Sequence, residues 1–143
     1  MKKEQIIETL KLMTTYPQEA GYFFKATKHG LGLVEEAKKI AKEVWNQKFV
    51  YINMAQSDMY DVKLQLIEHS KEMEPTTFCF DEMDKADEEF RNFIFNNFSI
   101  NRDILPNSHV IYIVNPDEDE DEYYKDQWND YVMTHSMVFK VES

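Results

Sequence analysis

Two acidic residues directly follow a short apolar run, and this position in the chain is suited to chemistry. In the segment FCFDE, the apolar run is Phe78, Cys79 and Phe80, and the acids are Asp81 and Glu82. An apolar run that ends in charge is typical of a buried strand that stops at the rim of a sheet. Ligands bind at the carboxyl ends of strands in open α/β sheets, so this carboxylate pair is a candidate catalytic site. The alternative is a structural role, since any strand must end in something polar.

A glycine-containing segment and an asparagine follow two other runs of this kind. Residues 27–32, TKHGLG, come after the aromatic run at 22–26 and contain Gly30 and Gly32. Glycines two apart before a helix predict a tight turn whose backbone N–H groups converge on the helix start. Asn115 follows the β-prone run VIYIV, although its side chain could instead bond to the backbone of its own turn.

The hydrophobic pattern predicts the helices that must position these residues. Helical spacing predicts a leading helix within residues 1–20, and a capped helix at 57–73 with Val62, Leu66 and Met73 facing inward. The helix that follows Gly32 has one continuous apolar stripe and an opposite face of charged residues. The charged residues that we expect to face away from the core are Glu35, Glu36, Lys38, Lys39 and Lys42.

Strand patterns alternate with these helices along the chain. The predicted strands are 22–26, 49–53, 78–80, 110–114 and 137–141, and a further helix is predicted at about 87–98. Such alternation predicts a mainly parallel, five-stranded sheet with helices on both faces, which is a three-layer α/β/α sandwich. The length of 143 residues predicts a single domain, 1–143.

Composition narrows the functional classes. A formal net charge of -11 argues against binding a nucleic-acid backbone, which requires clustered Lys and Arg. The single cysteine and four scattered histidines do not predict a metal site, and the absence of a long apolar run argues against a membrane protein. The start of the chain lacks the pattern of a signal peptide, so we expect a cytoplasmic location.

An acidic stretch near the carboxyl terminus is a candidate interaction surface. Residues 117–122, DEDEDE, predict a solvated loop that leads, within 117–130, into a short helix. The neighbouring Tyr123, Tyr124 and Trp128 supply rings beside this charge, a combination typical of protein interfaces. The alternative is that these rings simply cover the edge of the sheet.

Several strings, in their order along residues 22–141, resemble the nucleotide-binding core of an AAA+ ATPase of the P-loop NTPase fold, particularly the MoxR-like branch and its phage-encoded relatives. FCFDEMDKAD resembles the Walker B stretch, and VIYIVNP resembles the sensor-1 strand. HGLGLVEEAKKIAKEV resembles the P-loop and its helix. The resemblance implies a sheet order of 5-1-4-3-2. It also implies that Asp81 would bind magnesium, Glu82 would activate water and Asn115 would face that water.

The departures from this family indicate a degenerate site. A working P-loop has the form GxxxxGK[ST], in which the lysine neutralises phosphates and the hydroxyl holds magnesium. Aligned through its glycines, this chain has Thr27 for the first glycine, Leu33 for the lysine and Val34 for the Ser or Thr. No arginine follows Arg102 to serve a neighbouring subunit, and the family's carboxyl-terminal lid has no counterpart here. Lys28 or Lys85 could be replacement phosphate ligands, but a solvated lysine is the simpler interpretation.

The resemblance therefore implies a catalytically inactive AAA+-like domain, without a cofactor, that binds a protein partner as a regulator or inhibitor. That partner would be a true AAA+ ATPase ring that the domain joins, caps or blocks, as a small phage-encoded regulator would. The first alternative is a divergent ATPase that keeps magnesium-ATP through Asp81 and is completed by a partner subunit. The second is an acidic face that mimics nucleic acid. The site residues in question are Gly30, Gly32, Leu33, Val34, Asp81, Glu82 and Asn115.

Overall fold

A computed structural model of the chain describes residues 1–13, 21–101, 105, 107–116 and 130–142. Strands and helices alternate along most of these residues. The strands are β1 (Gly21–Ala26), β2 (Lys48–Asn53), β3 (Thr76–Asp81), β4 (His109–Val114) and β5 (Ser136–Val141). The helices are α1 (Lys3–Leu12), α2 (Leu33–Glu43), α3 (Met59–Glu72), α4 (Glu88–Phe95) and α5 (Asp130–Thr134). A 3₁₀ turn, Met83–Lys85, follows β3, and a π-helical turn, Asn96–Ile100, extends α4.

Local sequence explains where two of these helices begin. The Asp58 carboxylate accepts a hydrogen bond of 2.8 Å from the backbone N–H of Asp61, which caps α3 as predicted. Asp87 caps α4 in the same way, by accepting from the N–H of Phe90 at 2.8 Å. Each cap satisfies an N–H group that has no partner within its helix.

The five strands form one sheet in the order β2-β3-β4-β1-β5, and every pairing between them is parallel. This result confirms the mainly parallel sheet and the predicted order 5-1-4-3-2. The strands β1, β3 and β4 each lie between two neighbours, as expected for the central strands. Because the strands run the same way, all their carboxyl ends lie along one end of the sheet, which we call the carboxyl edge. Their amino ends lie along the opposite end, which we call the amino edge.

Alternate side chains of the central strands enter two separate cores. On one face Phe24, Ile111 and Ile113 pack with residues of α1 and α2. On the other face Phe80 and Tyr112 pack with residues of α3, α4 and α5. Helices therefore cover both faces, and the three-layer α/β/α sandwich is confirmed.

Two predicted orientations are wrong. Met73 does not face inward, because α3 ends at Glu72 and Met73 takes a left-handed conformation with 64% of its surface exposed. Glu36 does not face away from the core, since it is only 7% exposed. Its Oε1 atom has no hydrogen-bond partner among the described residues. Burial raises the pKa of this carboxyl above its usual value, although the charges of Lys39 and Lys3 act in the opposite direction.

The acidic segment 117–122, with Tyr123, Tyr124 and Trp128, lies outside the described residues, so its role as an interaction surface stays a prediction. None of the helices within the described ranges has the length and apolar character needed to cross a membrane.

Candidate functional site

A cleft of about 370 Å³ lies at the carboxyl edge of the sheet, between the loop that follows β1 and the ends of β3 and β4. Parallel strands explain this placement, because segments far apart in sequence end at the same edge. The cleft brings together most of the predicted site residues. Its described lining residues are Gly30, Leu31, Gly32, Leu33, Val34, Glu35, Tyr51, Asp81, Ile113 and Asn115.

The loop at the cleft contains two glycines in a left-handed conformation and is hydrogen-bonded to β5. Gly30 and Gly32 have φ angles of 79° and 70°, a conformation that residues with a Cβ rarely adopt. The N–H and hydroxyl of Thr27 both donate to the carbonyl of Val141, at 2.9 and 3.0 Å, which ties the loop to β5. Gly32 is also the N-cap of α2 and has no side chain to cap it. The loop therefore places the start of α2, without a side-chain cap, at the cleft.

The two positions that the family resemblance aligns with the lysine and hydroxyl of a P-loop are apolar and contribute to packing. Leu33 is buried, at 6% exposure, in the core formed with α1, and Val34 is partly buried against the same core. Neither side chain can neutralise a phosphate or hold a metal ion. The charged residues in the described lining are Glu35 and Asp81, both acidic, and no lysine or arginine is among them. Acidic side chains and the N-terminus of α2, whose dipole favours anions, therefore meet at this cleft.

Asp81 is engaged by a side chain that the sequence analysis missed. The Tyr51 hydroxyl donates to Asp81 Oδ2 at 2.9 Å and accepts from the Asn53 side chain at 3.2 Å. The backbone N–H of Glu82 donates to Asp81 Oδ1 at 2.9 Å. Each carboxylate oxygen of Asp81 thus has a protein donor. Burial raises the pKa of the Tyr51 phenol, and the neighbouring Asp81 raises it further, so Tyr51 stays a donor at neutral pH.

The turn after β3 is joined to the end of β4 by a buried carboxylate. The Asp84 side chain is 3% exposed, and its Oδ1 atom accepts from the backbone N–H of Asn115 at 3.2 Å. Its Oδ2 atom lies 3.9 Å from the ammonium of Lys85. Asp84 therefore positions Asn115 at the cleft. Lys85 pairs with this carboxylate and is not among the residues described as lining the cleft.

Two further predicted residues lie beside the cleft. Glu82 is partly buried in a left-handed conformation with φ of 56° and is not among the described lining residues. Lys28 lines a neighbouring cleft of about 290 Å³ on the same loop. That second cleft also contains Lys3, whose ammonium nitrogen lies 3.3 Å from where a Cβ on Gly32 would be. Lys3 comes from α1, and no sequence pattern linked it to the loop.

The site offers little for metal or thiol chemistry. Within the described part of the chain, no group of three or more His, Cys, Asp or Glu side chains could hold a metal ion. Cys79 is fully buried, and burial raises the pKa of its thiol well above the usual value. A protonated, buried thiol is a poor nucleophile and metal ligand.

Comparison with known proteins supports the fold. No family model matches the sequence, and a search of curated proteins finds no match. Among solved structures the chain is similar to NtrX from Brucella abortus, crystallised in complex with ATP, with a TM-score of 0.55 and 14% sequence identity. The match covers 95% of this chain and 34% of that chain, so this chain spans about a third of that protein's length. The chain thus has a P-loop NTPase-like α/β fold.

Proposed function

We propose that this chain is a catalytically inactive AAA+-like domain, related to the MoxR-like branch, that regulates or inhibits a protein partner by binding it. The observation that carries the proposal is the replacement of the phosphate-binding cation by Leu33, whose side chain is buried in the core. Phosphoryl transfer depends on positive charge held around the phosphates. The described lining of this cleft supplies negative charge instead.

Asp81 supports the same proposal. A magnesium-binding carboxylate needs an oxygen that faces the metal and the nucleotide. Asp81 accepts from the Tyr51 hydroxyl and from the backbone of Glu82, both at 2.9 Å, and each of its oxygens keeps one lone pair for another ligand. Magnesium bound there would lack the hydroxyl ligand that Val34 replaces and the phosphate that a lysine would hold beside it. We infer that the domain uses neither magnesium nor ATP.

The partner is proposed from charge and from the family resemblance. A net charge of -11 favours a basic protein surface, because opposite charges accelerate encounter and select partners. A true AAA+ ATPase ring, which a small phage-encoded domain would cap or block, fits the resemblance. The acidic segment 117–122 and the neighbouring Tyr124 and Trp128 are the proposed contact surface outside the described residues.

A second function is supported by the volume of the cleft, by two of its residues and by the similar structure. The cleft has the volume of a small-molecule site and retains Asp81 and Asn115 at its rim, and the similar structure of NtrX contains ATP. A divergent ATPase completed by a partner subunit would use these groups. It would require a cation from that partner, since the described lining has none.

Titration calorimetry with magnesium-ATP tests the choice between these functions. We expect no heat of binding for the wild type at up to roughly millimolar nucleotide. We expect measurable binding for a Leu33→Lys, Val34→Thr variant, because it restores the ammonium and the hydroxyl at their usual positions. Micromolar binding by the wild type would overturn the proposal.

Controls distinguish a variant that folds but does not bind nucleotide from one that does not fold. Because Leu33 is buried, the variant must first show a cooperative unfolding transition and the wild-type circular dichroism spectrum. The same variant with Asp81→Asn should lose the gained binding if the nucleotide occupies this cleft.

For the protein partner, a pull-down with wild type beside a Tyr124→Ala, Trp128→Ala variant tests the proposed contact surface. Unchanged capture by a variant of wild-type stability would exclude that surface.

A further inference from the structure

The cleft at the carboxyl edge has a lining that selects a different ligand class from a nucleotide. Its described charged groups are the carboxylates of Glu35 and Asp81. The partly buried residues Leu31 and Val34 supply apolar surface in its lining, and Tyr51 lies at the same opening with 44% of its surface exposed. A cation carried on an apolar stem complements these side chains, whereas a triphosphate would meet both carboxylates with only the N-terminus of α2 in its favour.

We propose that this cleft is a receptor for an arginine side chain of a partner protein. The inference rests on the proposed function, because it names the chemistry by which an inactive domain would recognise its partner. The cleft that holds phosphates in related folds would here accept the guanidinium group, and the site would bind a protein without binding a nucleotide.

The hydrogen-bonding capacity of the carboxylates allows this ligand. A carboxylate oxygen has two lone pairs, and each oxygen of Asp81 accepts one bond from the protein, so each retains a lone pair for a donor in the cleft. Glu35 is exposed at the first turn of α2, and its Oε2 atom lies 3.7 Å from where a Cβ on Gly32 would be. A guanidinium has five N–H donors in one plane, enough to meet both carboxylates.

The cleft walls favour arginine over lysine. Guanidinium is weakly hydrated and stacks on aromatic rings. It therefore loses less hydration free energy than an ammonium group would when it enters a cleft beside Tyr51. The methylene stem would pack against apolar walls, as long basic side chains commonly do. The volume of about 370 Å³ is sufficient for the side chain and part of the backbone that carries it.

The net charge of the chain, more than the charges next to the cleft, adds to the attraction. Asp84 accepts from the backbone N–H of Asn115 and is paired with the ammonium of Lys85 at 3.9 Å, so this pair adds little net charge. The ammonium of Lys3 lies against Gly32, yet Lys3 lines the neighbouring cleft and not this one. The net charge of -11 would also steer a basic partner toward the domain.

Titration of the labelled protein with a capped Gly-Arg-Gly peptide, followed by amide NMR, tests the proposal. The matched ligand is the same peptide with citrulline, which keeps the shape of arginine and removes its charge. We expect the arginine peptide to shift the amides of 30–35, 81 and 115 with a Kd on the order of millimolar. We expect at least about tenfold weaker binding of the citrulline peptide. Equal binding of both peptides, or shifts confined to other surfaces, would overturn the proposal.

Variants locate the binding. A Glu35→Gln, Asp81→Asn protein should bind the arginine peptide roughly tenfold more weakly, because both charged acceptors are removed. A Glu68→Gln, Glu89→Gln protein loses the same charge from exposed positions on α3 and α4 and should bind within about twofold of wild type. Equal losses of affinity in the two variants would mean that net charge alone attracts the peptide. That result would contradict a specific arginine site in the cleft.

A magnesium-ATP titration of the same sample distinguishes failure of this inference from failure of the proposed function. Absence of binding by both peptide and nucleotide overturns the arginine site and leaves the inactive-domain proposal standing. Binding of nucleotide with shifts at 30–35 overturns both. Binding of the arginine peptide alone supports both.

Discussion

The two edges of the sheet use polar residues in different ways. At the amino edge, Gln47 accepts from the Thr77 hydroxyl at 2.9 Å, lies 3.0 Å from Nδ1 of His109 and donates to the carbonyl of Asn107 at 2.6 Å. Trp45 stacks on the His109 ring with centroids 3.8 Å apart. One amide side chain thus joins several segments at the amino edge, beside the stacked rings of Trp45 and His109.

The carboxyl edge is open. A cleft of about 370 Å³ separates the loop after β1 from the ends of β3 and β4, and both acidic residues in its described lining have no basic residue there to pair with. Polar residues that meet each other inside a fold contribute to its stability, whereas polar residues around a cleft remain available to a ligand. The difference makes the carboxyl edge the candidate site, whereas the polar residues at the amino edge bond to one another within the fold.

The largest expected difference in stability is between two separate glycine-to-alanine variants, one at each edge. Gly21 begins β1 at the amino edge with φ of 116°, and an added Cβ would lie 2.5 Å from a methyl carbon of Val110 and 2.9 Å from its carbonyl oxygen. Gly21→Ala should therefore lower the free energy of unfolding by about 3 kcal/mol or more. Gly30 has φ of 79° but nothing within 4 Å of an added Cβ, so Gly30→Ala should cost only about 1 kcal/mol. Urea denaturation measures both, and equal losses would show that the two edges are equally constrained.

A smaller difference in the free energy of unfolding is expected when one polar residue is changed at each edge. Gln47→Ala removes the acceptor of the Thr77 hydroxyl, which is fully buried, and should lower the free energy of unfolding by about 2 kcal/mol. Asp81→Asn keeps an acceptor for Tyr51 beside the open cleft and should cost about 1 kcal/mol or less. The comparison is again by urea denaturation at neutral pH. A larger loss for Asp81→Asn would assign it a mainly structural role.

The smallest expected effect is a gain in stability on α2, next to the open edge. Burial raises the pKa of Glu36 in the folded state, so ionisation of this carboxyl at neutral pH opposes folding. The neutral carboxyl contributes fully below the unfolded pKa of about 4.3, and this contribution is lost as pH rises through the folded pKa. Glu36→Gln should therefore be more stable than wild type at pH 7, and the difference should disappear at acidic pH.

Thermal unfolding of both proteins across this pH range measures the effect, with Glu35→Gln as the exposed neighbour on the same helix turn. A pH-independent gain for Glu36→Gln would attribute its stabilisation to helix propensity and not to the buried charge.

Most of the fold follows from local sequence patterns. Runs such as FCF and VIYIV are too apolar and β-prone to lie on a surface, and caps such as Asp58 fix where helices begin, so the element order could be read directly. The strand order came from the family resemblance, and the structure confirms it. Met73 was misplaced because the pattern does not reveal where a helix ends and a left-handed residue turns outward.

The candidate site was predictable only in part. Asp81, Asn115 and the glycines each follow a strand, and parallel strands bring such positions to one edge, so their shared cleft follows from sequence. The sequence also has apolar residues, Leu33 and Val34, at the positions that the family resemblance aligns with the lysine and hydroxyl of a P-loop. These conclusions depend on residue type and on order along the chain, and neither changes when the chain folds.

Tertiary structure alone decided which groups meet these residues. Tyr51 reaches Asp81 because β2 pairs with β3 in a register that matches Asn53 with Asp81 and Tyr51 with Cys79, placing the phenol and the carboxylate on the same face. Glu36 became buried because helices pack over it, against the expectation from its helical face. Register and helix packing depend on contacts between distant segments, and a one-residue shift of β2 would move the phenol to the opposite face of the sheet.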